Sequence, residues 1–216
     1  MRKTSYVVTF FMVLATLIIN IISARRGDWL TVKGTGIARS KTIVRYGLTK
    51  RCERQVVEIP GPDNSSVIAY TDYECRAFPL RVRDACETDN RGFCTSWGSA
   101  TYLTELGIGF AAMALVAILI GVSTHSRRRR VWRAIAAFVA VHAVFQLATF
   151  IIVTEIYRTS KFSHFSEAKP GTGYILNVVS WVVGISVTAG VVTTGISADK
   201  GHKWAAGNRA YRPIEG

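Results

Sequence analysis

Four thiols, four imidazoles and a few carboxylates are the groups in this 216-residue chain that could carry chemistry. The thiols are Cys52, Cys75, Cys86 and Cys94, and the imidazoles are His125, His142, His164 and His202. Catalysis needs such groups in a recognisable constellation. No HExxH, GxSxG or phosphate-loop pattern occurs. The histidines fall in three different environments, so no catalytic residue is expected and the chain does not read as an enzyme. Zinc is the competing use of four cysteines, but there is no CxxC pair and no histidine between Arg25 and Gly98. No metal ligand and no cofactor is therefore expected. Asp84, Glu87, Asp89 and Asn90 could hold Ca²⁺ weakly, yet they lack the D-x-[DN]-x-[DN]-G loop, which favours a solvated turn.

Disulfides remain as the role of the thiols. Four cysteines allow three pairings. Cys52 and Cys75 lie symmetrically about the stretch Pro60-Gly61-Pro62-Asp63-Asn64-Ser65-Ser66, the strongest turn signal in the chain. A bridge between two strands of one hairpin suits that symmetry and leaves Cys86 with Cys94 to close a smaller loop. Joining Cys52 to Cys86 or Cys94 instead would break the hairpin reading. Residues rich in β-branched side chains at Trp29–Val32, Thr42–Tyr46, Gln55–Ile59 and Val67–Tyr73 give three to four antiparallel strands for the staples to hold.

The elements around this segment are set by charge. Charged residues make up 19% of the chain, against a soluble norm of roughly 25%. Thr4–Ala24, Leu106–Ser126, Ala134–Thr154 and Pro170–Ala198 carry no Asp, Glu, Lys or Arg at all. About 20 apolar residues in a helix cross a hydrocarbon core of roughly 30 Å. Four spans are expected, at residues 6–24, 103–123, 131–154 and 174–197. Arg2 and Lys3 before an apolar run could also mark a signal peptide cleaved after Ala24. A signal h-region is typically about 7–15 residues, shorter than this run, and Ile22 would occupy a position that wants a small residue. An uncleaved anchor is the reading adopted.

Orientation follows from Lys and Arg in the short loops. Arg127, Arg128, Arg129 and Arg130 fill the link at 124–130, with Arg2 and Lys3 in the N-terminal 1–5 and Lys200, Lys203, Arg209 and Arg212 in the tail at 198–216. Both termini are expected in the cytoplasm, with 25–102 and 155–173 outside. The cysteines and the sequon at Asn64 all lie in 25–102, which agrees with an oxidising, glycosylating compartment. The formal net charge of +13 is spread over both sides, and no nucleic-acid motif occurs. The expected partner of the basic cluster is an anionic inner leaflet, at about 1 kcal/mol per basic residue. An alternative reading of Arg127–Arg130 is retention in the endoplasmic reticulum membrane.

Inside the spans, His142 and Gln146 stand four apart on one helix face, with Thr149 three further on. Asn20, Asn177 and Ser180 are polar in otherwise apolar surroundings. Intramembrane polar residues face the bundle interior. A neutral, hydrogen-bonded imidazole is the plainer role for His142, and a pH sensor the sharper one. Span four carries small residues on two neighbouring faces, Ser180, Gly184 and Thr188 on one and Ser186, Gly190 and Thr194 on the other. Small residues at this spacing let helices approach closely. Glu105 and Glu155 are acids at the outer rim, either interfacial anchors or groups that tune cation passage.

Trp29, the run Gly47-Leu48-Thr49-Lys50-Arg51-Cys52, and then Cys75, set after a first span and before three more, resemble the W…GLWxxC…C signature of the claudin and peripheral myelin protein superfamily. Trp29, Gly47, Leu48, Cys52 and Cys75 match its positions, while Thr49 stands where that family usually has tryptophan. The longer outer segment and second cysteine pair are more similar to divergent fungal claudin-like membrane proteins than to a tight-junction claudin. The resemblance implies a left-handed four-helix bundle carrying an extracellular sheet. The expected fold is thus an all-α transmembrane four-helix bundle with a small disulfide-stapled antiparallel β-sheet in the first extracellular segment. The expected function is to organise the cell surface at the plasma membrane, by self-association or assembly with other membrane proteins and by extracellular contacts. The alternative is an ion pathway, an auxiliary channel subunit, or a membrane sensor partner in ambient-pH signalling.

Overall fold

A computed structural model describes residues 3–35, 41–60, 66–123, 125–159, 165 and 167–206. The order is α1 (Lys3–Arg25), β1 (Leu30–Thr35), β2 (Lys41–Tyr46), β3 (Lys50–Pro60), β4 (Ser66–Tyr70), β5 (Glu74–Ala77), α2 (Arg91–Ser123), α3 (His125–Arg158), β6 (Lys169–Pro170), α4 (Thr172–Asp199) and α5 (Lys203–Ala206). The four long helices are each long and apolar enough to cross a membrane. They also leave large apolar side chains open: Phe11 on α1 is 62% exposed and Leu119 on α2 is 59% exposed. Helix surfaces of this kind need an apolar solvent.

The helices outrun the apolar stretches that reveal them. Residues 125–130, expected in a basic loop, are helical in α3, because arginine is a good helix former. The side chains of Arg127, Arg128, Arg129 and Arg130 lie outside the described residues. So does Asn64, with the rest of the turn at 61–65. Helix α2 starts at Arg91, some three turns before the span expected at 103–123.

The chain forms two compact units. The described residues of Met1–Ile21, Glu105–Leu147 and Val179–Gly216 make the first. Its core takes Tyr6 and Val13 from α1, Ala114 and Ile118 from α2, Ile135 and Val139 from α3, and Val191 from α4. Glycines bring these helices close. Tyr6 lies on Gly121, Trp132 on Gly195, and Ala143 on Gly184, where an added Cβ would meet the neighbouring side chain. With no hydrophobic drive between helices in lipid, such close backbone approach is what packs them.

The second unit, Ile22–Thr104 with Ala148–Val178, holds an antiparallel sheet in the order β4-β3-β2-β1-β6, with β5 also on β3. Five strands come from the segment between α1 and α2, and Lys169–Pro170 adds two residues beside Leu30 and Thr31. Strand β3 runs eleven residues, so β5 pairs with its first part and β4 with its second. Between them, at Thr71–Tyr73, the register slips by one residue. The disulfides are Cys52–Cys75, directly opposite each other on β3 and β5, and Cys86–Cys94, which ties the turn at 81–90 to the first turn of α2. Beneath the sheet, Phe165 meets the rings of Tyr46, Phe93 and Trp97 at 4.8–5.6 Å, within the range of favourable edge and tilted contacts.

Candidate functional site

In the second unit, the motif residues scattered from 29 to 75 become one joint. Trp29 is fully buried. Its backbone N–H donates to Tyr46 O at 2.8 Å, and its indole Nε1 donates to Ser23 O, also at 2.8 Å. Its own carbonyl accepts from Gly171 N at 2.8 Å. A single residue, through its backbone and its indole, thereby ties the end of α1, the second strand and the residue that precedes α4. Gly47 is required by close approach: a Cβ there would stand 2.5 Å from Arg26 O and 2.8 Å from Gly27 Cα. Leu48 is buried, and its carbonyl accepts from Trp97 Nε1 at 3.1 Å and Thr101 Oγ1 at 3.2 Å. Thr49, in place of tryptophan, accepts Phe78 N at 3.0 Å through its backbone carbonyl. The Cys52–Cys75 bridge closes the far side of the same strands.

Charge secures the loops around this joint. Arg26 donates to both carboxylate oxygens of Asp28 at 2.7 and 2.9 Å. Arg76 grips Asp84 in the same two-pronged way, at 2.6 and 2.9 Å, and Leu80 N adds a third bond to that carboxylate at 2.7 Å. Burial alone would raise the Asp84 pKa, but the Arg76 guanidinium and the Leu80 N–H outweigh it and hold the carboxyl below its ordinary value. Asp28 is held low for the same reason by Arg26. Asp84 is thus committed to an arginine, which removes it from the acidic group considered for Ca²⁺. Among the described residues no group of three His, Cys, Asp or Glu side chains could hold a metal ion.

In the first unit a second polar group is assembled at membrane depth. His142 Nδ1 lies 2.9 Å from Gly107 O. A carbonyl cannot donate, so Nδ1 carries the proton and, in a neutral ring, Nε2 is the acceptor. Asn20 Nδ2 supplies the donor at 3.2 Å and also reaches Ser180 Oγ at 2.6 Å. Asn20 therefore bridges α3 and α4 through one amide nitrogen, while its Oδ1 has no partner among the described residues. Gln146, one turn beyond His142, presses on Gly107, where any side chain would strike its amide. In the second unit, Thr149 continues the buried stripe of α3, donating to Ala100 O at 3.1 Å and meeting Thr104 Oγ1 at 3.2 Å. Asn177 is also fully buried.

Glu105 and Glu155 are exposed, one on α2 and one on α3. The side chains that sequence reasoning missed are Trp97, Phe165 and Arg76, and Asp84 has a different role from the one considered for it. Phe93, Trp97 and Ala100, at i, i+4 and i+7, did carry the helical signal that places Trp97. Phe165 and the Arg76–Asp84 pair had no local signal. The sequence matches no protein-family model and no curated protein.

Proposed function

We propose that this is an integral membrane protein of claudin-like type that organises the surface of the cell by lateral assembly and extracellular contacts. The observation that carries the reading is the joint itself. Trp29, Gly47, Leu48 and the Cys52–Cys75 bridge, which are the residues of the resemblance, all work in one stapled sheet of a chain that also has four membrane-length helices. A rigid, disulfide-held platform suits contact with neighbours better than it suits catalysis. Both bridges suit an oxidising compartment, which supports a reading with the sheet outside, both termini in the cytoplasm and the basic cluster at Arg127–Arg130 against an anionic inner leaflet.

Lateral assembly has its own support. On α4, Gly184 is occupied by Ala143 of the same chain, whereas Ser186 and Gly190 are exposed and nothing lies within 4 Å of a Cβ at Gly190. A neighbouring copy can use that open face. The test is tagging in intact cells with single-particle tracking and proximity labelling. The wild type is expected to form slow clusters at the plasma membrane, and Gly190→Leu to disperse them while the protein still reaches the surface. Freely diffusing wild-type monomers would reject assembly. Currents that change with Glu105→Gln or Glu155→Gln would move the assignment to an ion pathway.

A further inference from the structure

The β3–β5 ladder contains an arrangement that stability alone does not explain. Its register sets Arg51 opposite Arg76 and Glu53 opposite Glu74. Like charges directly opposite on one sheet face are destabilising. Only part of that cost is offset, by Arg51 to Glu53 at 3.1 Å and by Arg76 to Asp84 at 2.6 Å. The result is a basic row beside an acidic row, and the two rows line a polar cleft of about 560 Å³. Arg83 extends the basic side and Asp72 the acidic side. Arg54, beside Glu53, adds a cation on the acidic side, and Gln55, Thr71 and the bridged Cys75 complete the described lining.

This lining is unlike the common ligand pocket, which is mostly apolar with a few polar groups. It is also unlike a protein-docking surface, whose energy comes from buried aromatic and aliphatic anchors. No such anchor is present among the described residues that line the cleft. A ligand that would match every wall must accept from guanidinium groups, donate hydroxyls to carboxylates, and bury little apolar area. Arginine forks pair two-pronged with carboxylates. Asp84 takes both prongs of the Arg76 fork, so Arg76 adds positive charge to the row, and exposed Arg83 is the fork offered to a ligand carboxylate. We infer that the cleft lined by residues of β3, β5 and Arg83 binds a carboxylate-bearing sugar, a uronic-acid unit of a surface polysaccharide. The basic row takes the sugar carboxylate, and the acidic row with Gln55 takes the hydroxyls. The inference rests on the proposed outward placement of the sheet for where such a sugar would be met. Whether the cleft binds it does not depend on sidedness.

The experiment is calorimetric titration of the full chain in detergent micelles, disulfides intact, with tetragalacturonate, neutral maltotetraose and hexaglutamate as probes. Tetragalacturonate is expected to bind, more weakly as salt is raised, and maltotetraose to bind at least about tenfold more weakly. Arg83 is exposed and outside the ladder, so Arg83→Glu is expected to melt like the wild type and lose about tenfold or more in tetragalacturonate affinity. Arg83→Lys is expected to fall between the two. Equal binding of both sugars, equal binding by Arg83→Glu, tighter binding of hexaglutamate, or no binding of any probe would each overturn the proposal. Sidedness is read separately, by protease protection in sealed vesicles, so a wrong orientation and an empty cleft give different results.

Discussion

Replacing Gly173 by alanine tests whether Trp29 is the fixed point of the second unit. A Cβ at Gly173 would lie 2.5 Å from Trp29 Cδ1, 2.8 Å from Nε1 and 3.2 Å from Cγ. Carbon contacts are comfortable at about 3.5–4.0 Å, so the indole or the start of α4 must move by about 1 Å. The ring has no easy exit. It is fully buried, and its Nε1 is held by Ser23 O at 2.8 Å. On the other side, the Trp29 carbonyl is tied to Gly171 N, two residues from the new methyl group. Overpacking costs about 1–3 kcal/mol, and loss of the indole hydrogen bond adds about 1 kcal/mol. Alanine returns at most about 1 kcal/mol of helix propensity. A net loss of about 1–3 kcal/mol is expected.

Gly190→Ala is the control, because the same methyl group meets nothing within 4 Å in the same helix. It is expected to leave stability unchanged or raise it by up to about 1 kcal/mol. Stability is read by titrating denaturing detergent into mixed micelles and following loss of near-ultraviolet circular dichroism. Trp29→Phe supplies the coupling. Alone it removes the stronger of two bonds that Ser23 O accepts, the other coming from Arg26 N at 3.3 Å, and costs about 0.5–1.5 kcal/mol, but in the Gly173→Ala background the smaller ring relieves the overlap. The two changes should therefore couple favourably by about 1–2 kcal/mol. Simple additivity, or an alanine at 173 as harmless as one at 190, would refute the claim that this contact is tight.

Three further outcomes follow from the geometry. Replacing both Cys52 and Cys75 by alanine opens a loop 23 residues long and should cost about 3.4 kcal/mol, against about 2.5 kcal/mol for Cys86 with Cys94, separated by eight; non-reducing denaturation curves that reverse this order would contradict a chain-entropy origin. Asp84 has a folded-state pKa below its unfolded value, so its stabilisation is complete above about pH 4 and is lost as pH falls through the folded pKa. Asp84→Asn, which strands the Arg76 cation beside a side chain only 2% exposed, should cost about 2–3 kcal/mol at neutral pH and flatten the acid limb of the stability profile, measured from pH 2 to 7. Asn20→Ala removes the donor shared by His142 and Ser180 and should cost about 1–3 kcal/mol, whereas Ser180→Ala removes one bond and about 0.6–2 kcal/mol; equal losses would mean the amide does not bridge.

How far these contacts could be read in advance depends on their range along the chain. The membrane helices were legible because each contains at least 18 consecutive residues without a charged side chain, a local property. The Cys52–Cys75 pairing was legible for a similar reason: the turn at 60–66 sits midway between the two thiols, and the hairpin places them opposite each other. Strand β5 was not, because Glu74-Cys75-Arg76-Ala77 lacks apolar alternation and is a strand only through its pairing with β3. The beginning of α2 was obscured by Arg91, Gly92 and Ser96, although Phe93, Trp97 and Ala100 keep helical spacing and fill the core under the sheet.

The buried polar residues show most clearly where such reading stops. Hydrocarbon offers no water to an amide or imidazole, so Asn20, His142 and Ser180 each announce that a partner exists. Their own sequence neighbourhoods do not say which partner. Asn20 and Ser180 stand 160 residues apart and meet at 2.6 Å, a pairing set by how α1 and α4 pack within the first unit. Once that pairing is given, the tautomer of His142 follows from chemistry, because Gly107 O can only accept and Asn20 Nδ2 can only donate. Protonating Nε2 would turn it into a donor facing a donor. The charged ring therefore requires Asn20 to turn its amide over and present Oδ1 to both His142 and Ser180. Asn20→Leu removes that acceptor, so any pH response of this protein that runs through His142 must disappear with it; a response that persists in the variant would place the sensor elsewhere.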